Sequence, residues 1–277
     1  MKTNVNTTII TGLNFPEGPV FDFKGNLWFV EILGGNLCCW NGETVERFAV
    51  DGTPNGAMVD TTGLIWFCDS RRGEIRIFNP DKNCFETICN STVDGKILKC
   101  PNDLIFDAEG NLLFSDHDNG REEPLSTICV LPAGGIQAKV ISSNKYFTNG
   151  LALMKDSKTL IFSETYKQQL WVAGWDAFNL ELTEERPFAK TGGAPQGPDG
   201  IAFDNDENLF ATVFNDSRIN VYSSDGKLTN CIGTRGSRPT SCAFDPIGKL
   251  GLVVTEAEYG EILSFPEFGK GLRIFYG

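Results

Sequence analysis

Five oxygen-bearing side chains recur at one register of this sequence: Glu17, Asn55, Asn102, Asn149 and Asp199, with Thr240 as a sixth. Each is the middle residue of a turn-like tripeptide that opens an apolar run: Pro16-Glu17-Gly18, Pro54-Asn55-Gly56, Pro101-Asn102-Asp103, Thr148-Asn149-Gly150, Pro198-Asp199-Gly200 and Pro239-Thr240-Ser241. Two carboxylates and three carboxamides make an all-oxygen donor set without Cys or His, which suits a hard divalent cation. If the fold brings Glu17 and Asp199 together in a confined space, they repel, and one must take up a proton unless a 2+ ion balances both. The alternative is that such positions are polar only because they face water, which would suffice for Asn55 and Thr240.

The elements that could position this set are repeats. The tripeptide centres are 38, 47, 47, 50 and 41 residues apart. Five residues after the centre comes Asp22, Asp60, Asp107, Asp204 or Asp245, and eight after it Gly25, Gly63, Gly110 or Gly248. An aliphatic residue follows at ten: Leu27, Ile65, Leu112, Leu209, Leu250, with Leu160 at eleven in the fourth repeat. Each repeat reads as four short strands. Strand A is the apolar run, closed by the Asp-x-x-Gly turn, and strand B is rich in Trp, Phe and Leu. Strand C alternates with period two, as in Glu74-Ile75-Arg76-Ile77-Phe78, and a more polar strand D lies near 45–50, 84–89 and 136–141. Nothing longer than one turn reads as helix. Six units of four antiparallel strands predict an all-β, six-bladed β-propeller filling residues 1–277 as one domain. Residues 7–11 stand where a strand D belongs, so they are expected to pair with the last blade and close the ring. In that geometry every strand A starts at the same end of the central channel, and the six tripeptide centres form a ring around its axis.

A second ring of acids is expected where strand B returns to the same end: Glu31, Asp69, Asp116 and Glu164, with Val213 and Val254 in the last two repeats. These acids could bind substrate hydroxyls, or they could cap the neighbouring turn through backbone N–H groups. The single histidine, His117, lies beside Asp116. No G-x-S-x-G elbow accompanies it, so a nucleophilic Ser-His-Asp triad is not expected, and His117 is better placed as a pocket wall.

Composition narrows the remaining classes. The chain has 277 residues and a formal net charge of −12, which disfavours binding to a phosphate backbone. No apolar run is long enough to cross a membrane as a helix, and the polar, Thr- and Asn-rich start does not read as a secretory signal. Nine cysteines without a CxxC pair read as reduced, inert thiols of a cytoplasmic protein.

Phe15-Pro16-Glu17-Gly18-Pro19, Pro101-Asn102-Asp103-Leu104, Thr148-Asn149-Gly150-Leu151 and Gly197-Pro198-Asp199-Gly200-Ile201-Ala202-Phe203-Asp204, with the tail Gly271-Leu272-Arg273-Ile274-Phe275, resemble the family of senescence marker protein, gluconolactonase and luciferin-regenerating enzyme. The likeness covers almost the whole chain. It implies a six-bladed propeller that binds one divalent cation and hydrolyses sugar lactones or related esters; some relatives hydrolyse organophosphates. Carried over position by position, it makes Glu17, Asn149 and Asp199 the metal ligands. Asn102 becomes a fourth ligand or a substrate contact, and Asp103 a residue of the substrate pocket. Vertebrate members carry Arg where Cys100 stands and Gly where Leu104 stands, whereas many bacterial members share the Pro-Asn-Asp-Leu form. The expectation is therefore a lactonase with one channel cation, Ca²⁺ first and Mg²⁺, Mn²⁺ or Zn²⁺ as alternatives, which polarises the carbonyl and activates the attacking water. Asp199, or hydroxide on the metal itself, is expected to deliver the attack, and Asn102, Asp103, His117 and Glu31 are the expected substrate contacts. An organophosphate or aryl-ester hydrolase of the same fold, or a non-catalytic propeller that binds a protein partner, are the competing readings.

Overall fold

The computed structural model describes residues 6–272. The family-like tail expected at 271–275 falls partly outside them, as does the first part of the polar N-terminus. Six four-stranded antiparallel sheets follow one another along the chain. Their inner strands A are Pro16–Phe21, Pro54–Val59, Pro101–Phe106, Thr148–Leu153, Pro198–Phe203 and Pro239–Phe244. Each inner strand packs beside the next, and that of blade 6 packs beside that of blade 1, so the ring is complete. The segment Thr7–Ile10 pairs antiparallel with Glu261–Phe265 as the outer strand of blade 6, the closure expected from sequence. The only helical elements among the described residues are two single 3₁₀ turns, Thr165–Lys167 and Pro266–Phe268.

The repeated Asp has a physical reason. Its carbonyl accepts the N–H of the turn glycine, as from Gly25 to Asp22 and from Gly63 to Asp60, while its carboxylate accepts a buried indole N–H. Trp28 donates to Asp22 at 3.0 Å, Trp66 to Asp60 at 2.8 Å, and Trp175 reaches from blade 4 to Asp107 at 3.0 Å. The tryptophans can then bury their rings between blades without stranding a donor.

Two registers differ from the sequence reading. In blade 6 strand B begins at Leu252, not Leu250, because the A–B turn is two residues longer, and Pro239 consequently pairs with Glu256 rather than Val254. Strand D of blade 3 is Lys139–Lys145, later than 136–141, because Pro132–Gly135 and the bonds from Ala138 to Ser91 and from Val93 to Ala138 occupy the earlier residues. Cys68, Cys129 and Cys242 are buried in strands, and burial pushes their thiols up, Cys129 to about 12. They act as small hydrophobes.

Candidate metal and active site

Every inner strand carries a β-bulge at the same place. Register with strand B shifts in blade 1 between Glu17 and Val20, in blade 3 between Pro101 and Leu104, in blade 4 between Thr148 and Leu151, and equivalently in the other three. A bulge re-aims one side chain relative to the pleat, and here it does so at each tripeptide centre. Glu17, Asn55, Asn102, Asn149, Asp199 and Thr240 are all buried. The ring read from sequence is present, although the sixfold bulge that builds it left no obvious mark in the sequence.

The ring members differ in how their polar atoms are used. The Thr240 hydroxyl donates to the Pro16 carbonyl of the next blade at 2.8 Å and sits against Thr255, so it stitches blades rather than serving the channel. Asn55 and Asn149 are held alike: the Asn55 NH₂ donates to the Ser70 hydroxyl and the Asn149 NH₂ to Thr165, both at 3.4 Å. Those hydroxyls donate in turn to Pro101 and Pro198 carbonyls across the blade boundary. With its NH₂ engaged by Thr165 and by Asp199, Asn149 keeps its carbonyl oxygen for a ligand. Glu17 accepts from the Gly18 N–H.

Electrostatically the hub is unfinished. Burial, with Asp199 and Asp103 nearby, pushes the Glu17 carboxyl well above its ordinary value. Burial and Asp103 do the same to Asp199, and burial lifts Asp103 to about 6. None of the three has a Lys or Arg ion-pair partner among the described residues. Elsewhere a buried acid either has a cationic partner, as Asp69 has Arg76 at 2.9 Å, or accepts several hydrogen bonds, as Asp116 does from the Lys99 and Cys100 N–H groups. Carboxylates gathered without a counter-charge are costly, a cost that a proton or a bound divalent cation would relieve. No three His, Cys, Asp or Glu side chains form a ready-made metal cage among the described residues. An ion at this hub would therefore use carboxamide oxygens beside the two acids, which fits Glu17, Asp199, Asn149 and Asn102.

Asp103 stands at a position where the other blades carry Gly18, Gly56, Gly150, Gly200 or Ser241. The reason for glycine is steric: a Cβ on Gly56 would lie 2.5 Å from Asp103 Oδ1 and 2.7 Å from its Cα. The Asp103 carboxylate accepts N–H groups from Leu104 at 2.8 Å and Leu151 at 3.3 Å. It marks the neck of the channel. Beyond it, away from the tripeptide ends, lies a cavity of about 490 Å³, walled mainly by apolar side chains such as Val20, Met58, Leu104 and Phe203 and bordered by Lys270–Leu272.

The second ring of acids has five members, since Glu256 joins Glu31, Asp69, Asp116 and Glu164. Each accepts the N–H of a residue just before strand A of its own blade. Asn14 donates to Glu31, Thr53 to Asp69, Lys99 and Cys100 to Asp116, Tyr146 to Glu164 and Arg238 to Glu256. Of the two roles open to these acids, the partners are those of a turn cap. Glu31 in particular also accepts from Asn36 and from Arg47, the latter at 2.9 Å. Burial alone would raise its carboxyl, but these bonds hold it below the usual range. The structure thus engages Glu31 in a local network and does not place it with the hub donors.

His117 is buried and stacked on Phe147, with ring centroids 4.0 Å apart. Its Nδ1 accepts the Asn119 N–H at 3.3 Å. Burial, and then the nearby Arg121 charge, lower it to about 4, so the imidazole is neutral at pH 7. The His117 backbone N–H donates to the Cys100 carbonyl at 3.2 Å, which puts His117 at the end of the channel where Asn102 begins its strand.

Comparison with known proteins agrees with this architecture. The sequence profile of the SMP-30/gluconolactonase/LRE-like region matches residues 15–258. Lactonase drp35 of Staphylococcus aureus is 26% identical over 222 residues, covering 76% of this chain and 67% of that protein. The diisopropyl-fluorophosphatase of Loligo vulgaris is 27% identical over 284 residues, covering 90% and 88%. Among solved structures, a luciferin-regenerating enzyme superposes with a TM-score of 0.85 at 21% identity, covering 98% of both chains. A gluconolactonase from Xanthomonas campestris gives 0.81 at 24% identity, covering 93% and 88%. With a profile match over most of its length on top of the shared fold, this chain belongs to the SMP-30/gluconolactonase/LRE-like family.

Proposed function

We propose that this chain is a metal-dependent hydrolase of lactones and related esters, acting at the hub ringed by Glu17, Asn102, Asn149 and Asp199. The observation that carries the reading is the pair of buried hub carboxylates with no cationic partner among the described residues, set among carboxamides, in a family whose named members include lactonases. A divalent cation held there, Ca²⁺ first by its preference for this donor set, would supply positive charge to polarise the carbonyl oxygen. Asp199 takes a proton from the water that adds to the carbonyl carbon, and returns it to the ring oxygen as the C–O bond breaks. Asn149 steadies Asp199 through its NH₂ during that exchange. Asn102 and Asp103, on the blade beside that of Asn149, orient the substrate. His117, neutral and with Nδ1 already bonded, forms the wall beside Asn102 and does not activate a nucleophile. A sugar lactone is the substrate expected from sequence.

The relationship to a fluorophosphatase favours a second reading, in which the same hub attacks a phosphoryl centre. One experiment separates these. Lactones and a fluorophosphate are assayed by acid release in Ca²⁺, in EDTA, and with Glu17→Gln and Asp199→Asn. Loss of lactone turnover in EDTA and in both variants is the expected result. Full turnover under chelation, or by both variants, removes the metal site from the mechanism, and turnover of the fluorophosphate alone establishes the second reading.

A further inference from the structure

The cavity beyond Asp103 has no part in the hydrolytic reading. At about 490 Å³ it is roughly three times the size of an apolar cavity that takes up one benzene molecule. The inner strands of all six blades build it, past the tripeptide centres. Val20, Met58, Leu104, Leu151, Phe203 and Cys242, one from each blade, line it and are buried. Two charged side chains reach the lining among the described residues, Asp103 and Lys270. Lys270 is exposed, and its side chain lies over Gly248 in the A–B turn of blade 6.

Asp103 is the polar feature of this space that the fold does not require. Five blades are built with Gly18, Gly56, Gly150, Gly200 or Ser241 at its position. Its two oxygens accept one backbone N–H each, Oδ1 from Leu104 at 2.8 Å and Oδ2 from Leu151 at 3.3 Å. An ionised carboxylate has about four acceptor sites, so about two remain. No Lys or Arg among the described residues pairs with it. The charge count points the same way. Glu17, Asp199 and Asp103 are three acids close enough to act on one another. A divalent ion held by Glu17 and Asp199 answers two negative charges, and that of Asp103 is left over. This count rests on the metal reading above; the cavity and its one carboxylate stand without it.

An anion would be repelled by Asp103, and a neutral apolar body would leave the carboxylate unanswered. An alkylammonium ion suits both parts. Its hydrocarbon chain covers apolar wall, and its three N–H donors make charge-assisted hydrogen bonds to the carboxylate. The carboxylate is already out of bulk water in the folded protein, so only the ligand loses hydration on binding. Lys270 is exposed, and water and salt screen its charge from a cation at the neck. We propose that this cavity is a binding site for a primary alkylammonium ion, on the far side of Asp103 from the tripeptide centres, with the ammonium group on Asp103 and the hydrocarbon chain along the inner strands.

Calorimetric titration of the full chain at pH 8 in Ca²⁺ compares n-butylamine, n-hexylamine and n-octylamine with 1-octanol, a neutral molecule of the same length. The amine Kd should tighten roughly two- to fourfold per added methylene, because each one enters apolar surroundings. Octylamine should bind roughly tenfold more tightly than octanol. Asp103→Asn should erase that difference and leave octanol binding within about threefold of wild type. Ala243→Phe fills the cavity from a half-buried lining position and should abolish binding of both; Ala152→Leu, also on the lining, is read in its place if the first variant melts abnormally. Equal affinity for amine and alcohol, an octylamine Kd unmoved by Asp103→Asn, affinity independent of chain length, or binding that survives the filling variants overturns the proposal. A parallel Ca²⁺ titration separates this inference from the metal reading. Asp103-dependent octylamine binding by a protein that takes up no Ca²⁺ upholds the cavity and removes the ion from the hub, whereas Ca²⁺ uptake without amine binding does the reverse.

Discussion

His117 offers the most quantitative check on the mouth. Its folded-state value of about 4 lies below the ordinary 6.5, because burial against Phe147 and the Arg121 charge both disfavour the imidazolium. The unfolded chain releases that constraint, so between pH 6.5 and 4 it binds a proton that the folded chain does not. Stability from this residue is therefore fully present above pH 6.5 and falls as pH drops through that window. A depression of roughly two and a half units at 1.36 kcal/mol per unit amounts to about 3 kcal/mol. His117→Phe keeps a flat ring against Phe147 and removes the titration. Urea unfolding of both proteins at pH 7.5, 6, 5 and 4 should show wild type losing about 3 kcal/mol more than the variant over that range. The hub carboxylates titrate alike in both proteins and cancel in the difference. Parallel stability curves would refute the buried, neutral histidine and with it the tight stack that supports Phe147.

Three further outcomes are expected. Ca²⁺ at a hundredfold excess over its Kd should stabilise wild type by about 2.7 kcal/mol in thermal unfolding and leave Asp199→Asn and Glu17→Gln unmoved; equal shifts in all three would place the ion elsewhere. Arg47→Met removes the partly exposed partner of Glu31, which keeps its bonds from Asn14 and Asn36, and should cost about 1 kcal/mol in denaturant unfolding, while kcat/KM on the best lactone stays within threefold if Glu31 caps a turn rather than touching substrate. Deleting residues 1–12 removes the strand paired with Glu261–Phe265 and should replace one cooperative transition by a broad one; a sharp, unshifted melt would show that the ring does not depend on that strand.

The repeat spacing, the Asp-x-x-Gly turns and the tripeptide centres were legible in the sequence because each is local: a turn, a run of alternate residues, a fixed count between them. Six repetitions of local geometry specify a closed ring, and with the ring the six tripeptide centres came to the inner strands. Blade 6 shows the limit. A two-residue insertion moved Glu256, not Val254, into register, since pairing follows the hydrogen-bond ladder and not a constant count. The roles of individual polar groups were decided only by tertiary structure. Glu31 and Glu17 are both buried acids near a strand end, but Arg47 folds back from strand D onto one, while no Lys or Arg among the described residues pairs with the other. Thr240 and Asn149 share a register, yet one bonds across the blade boundary while the other has its NH₂ held by Thr165. Sequence names the donors and their period; only packing decides which of them have their charge answered from within the protein.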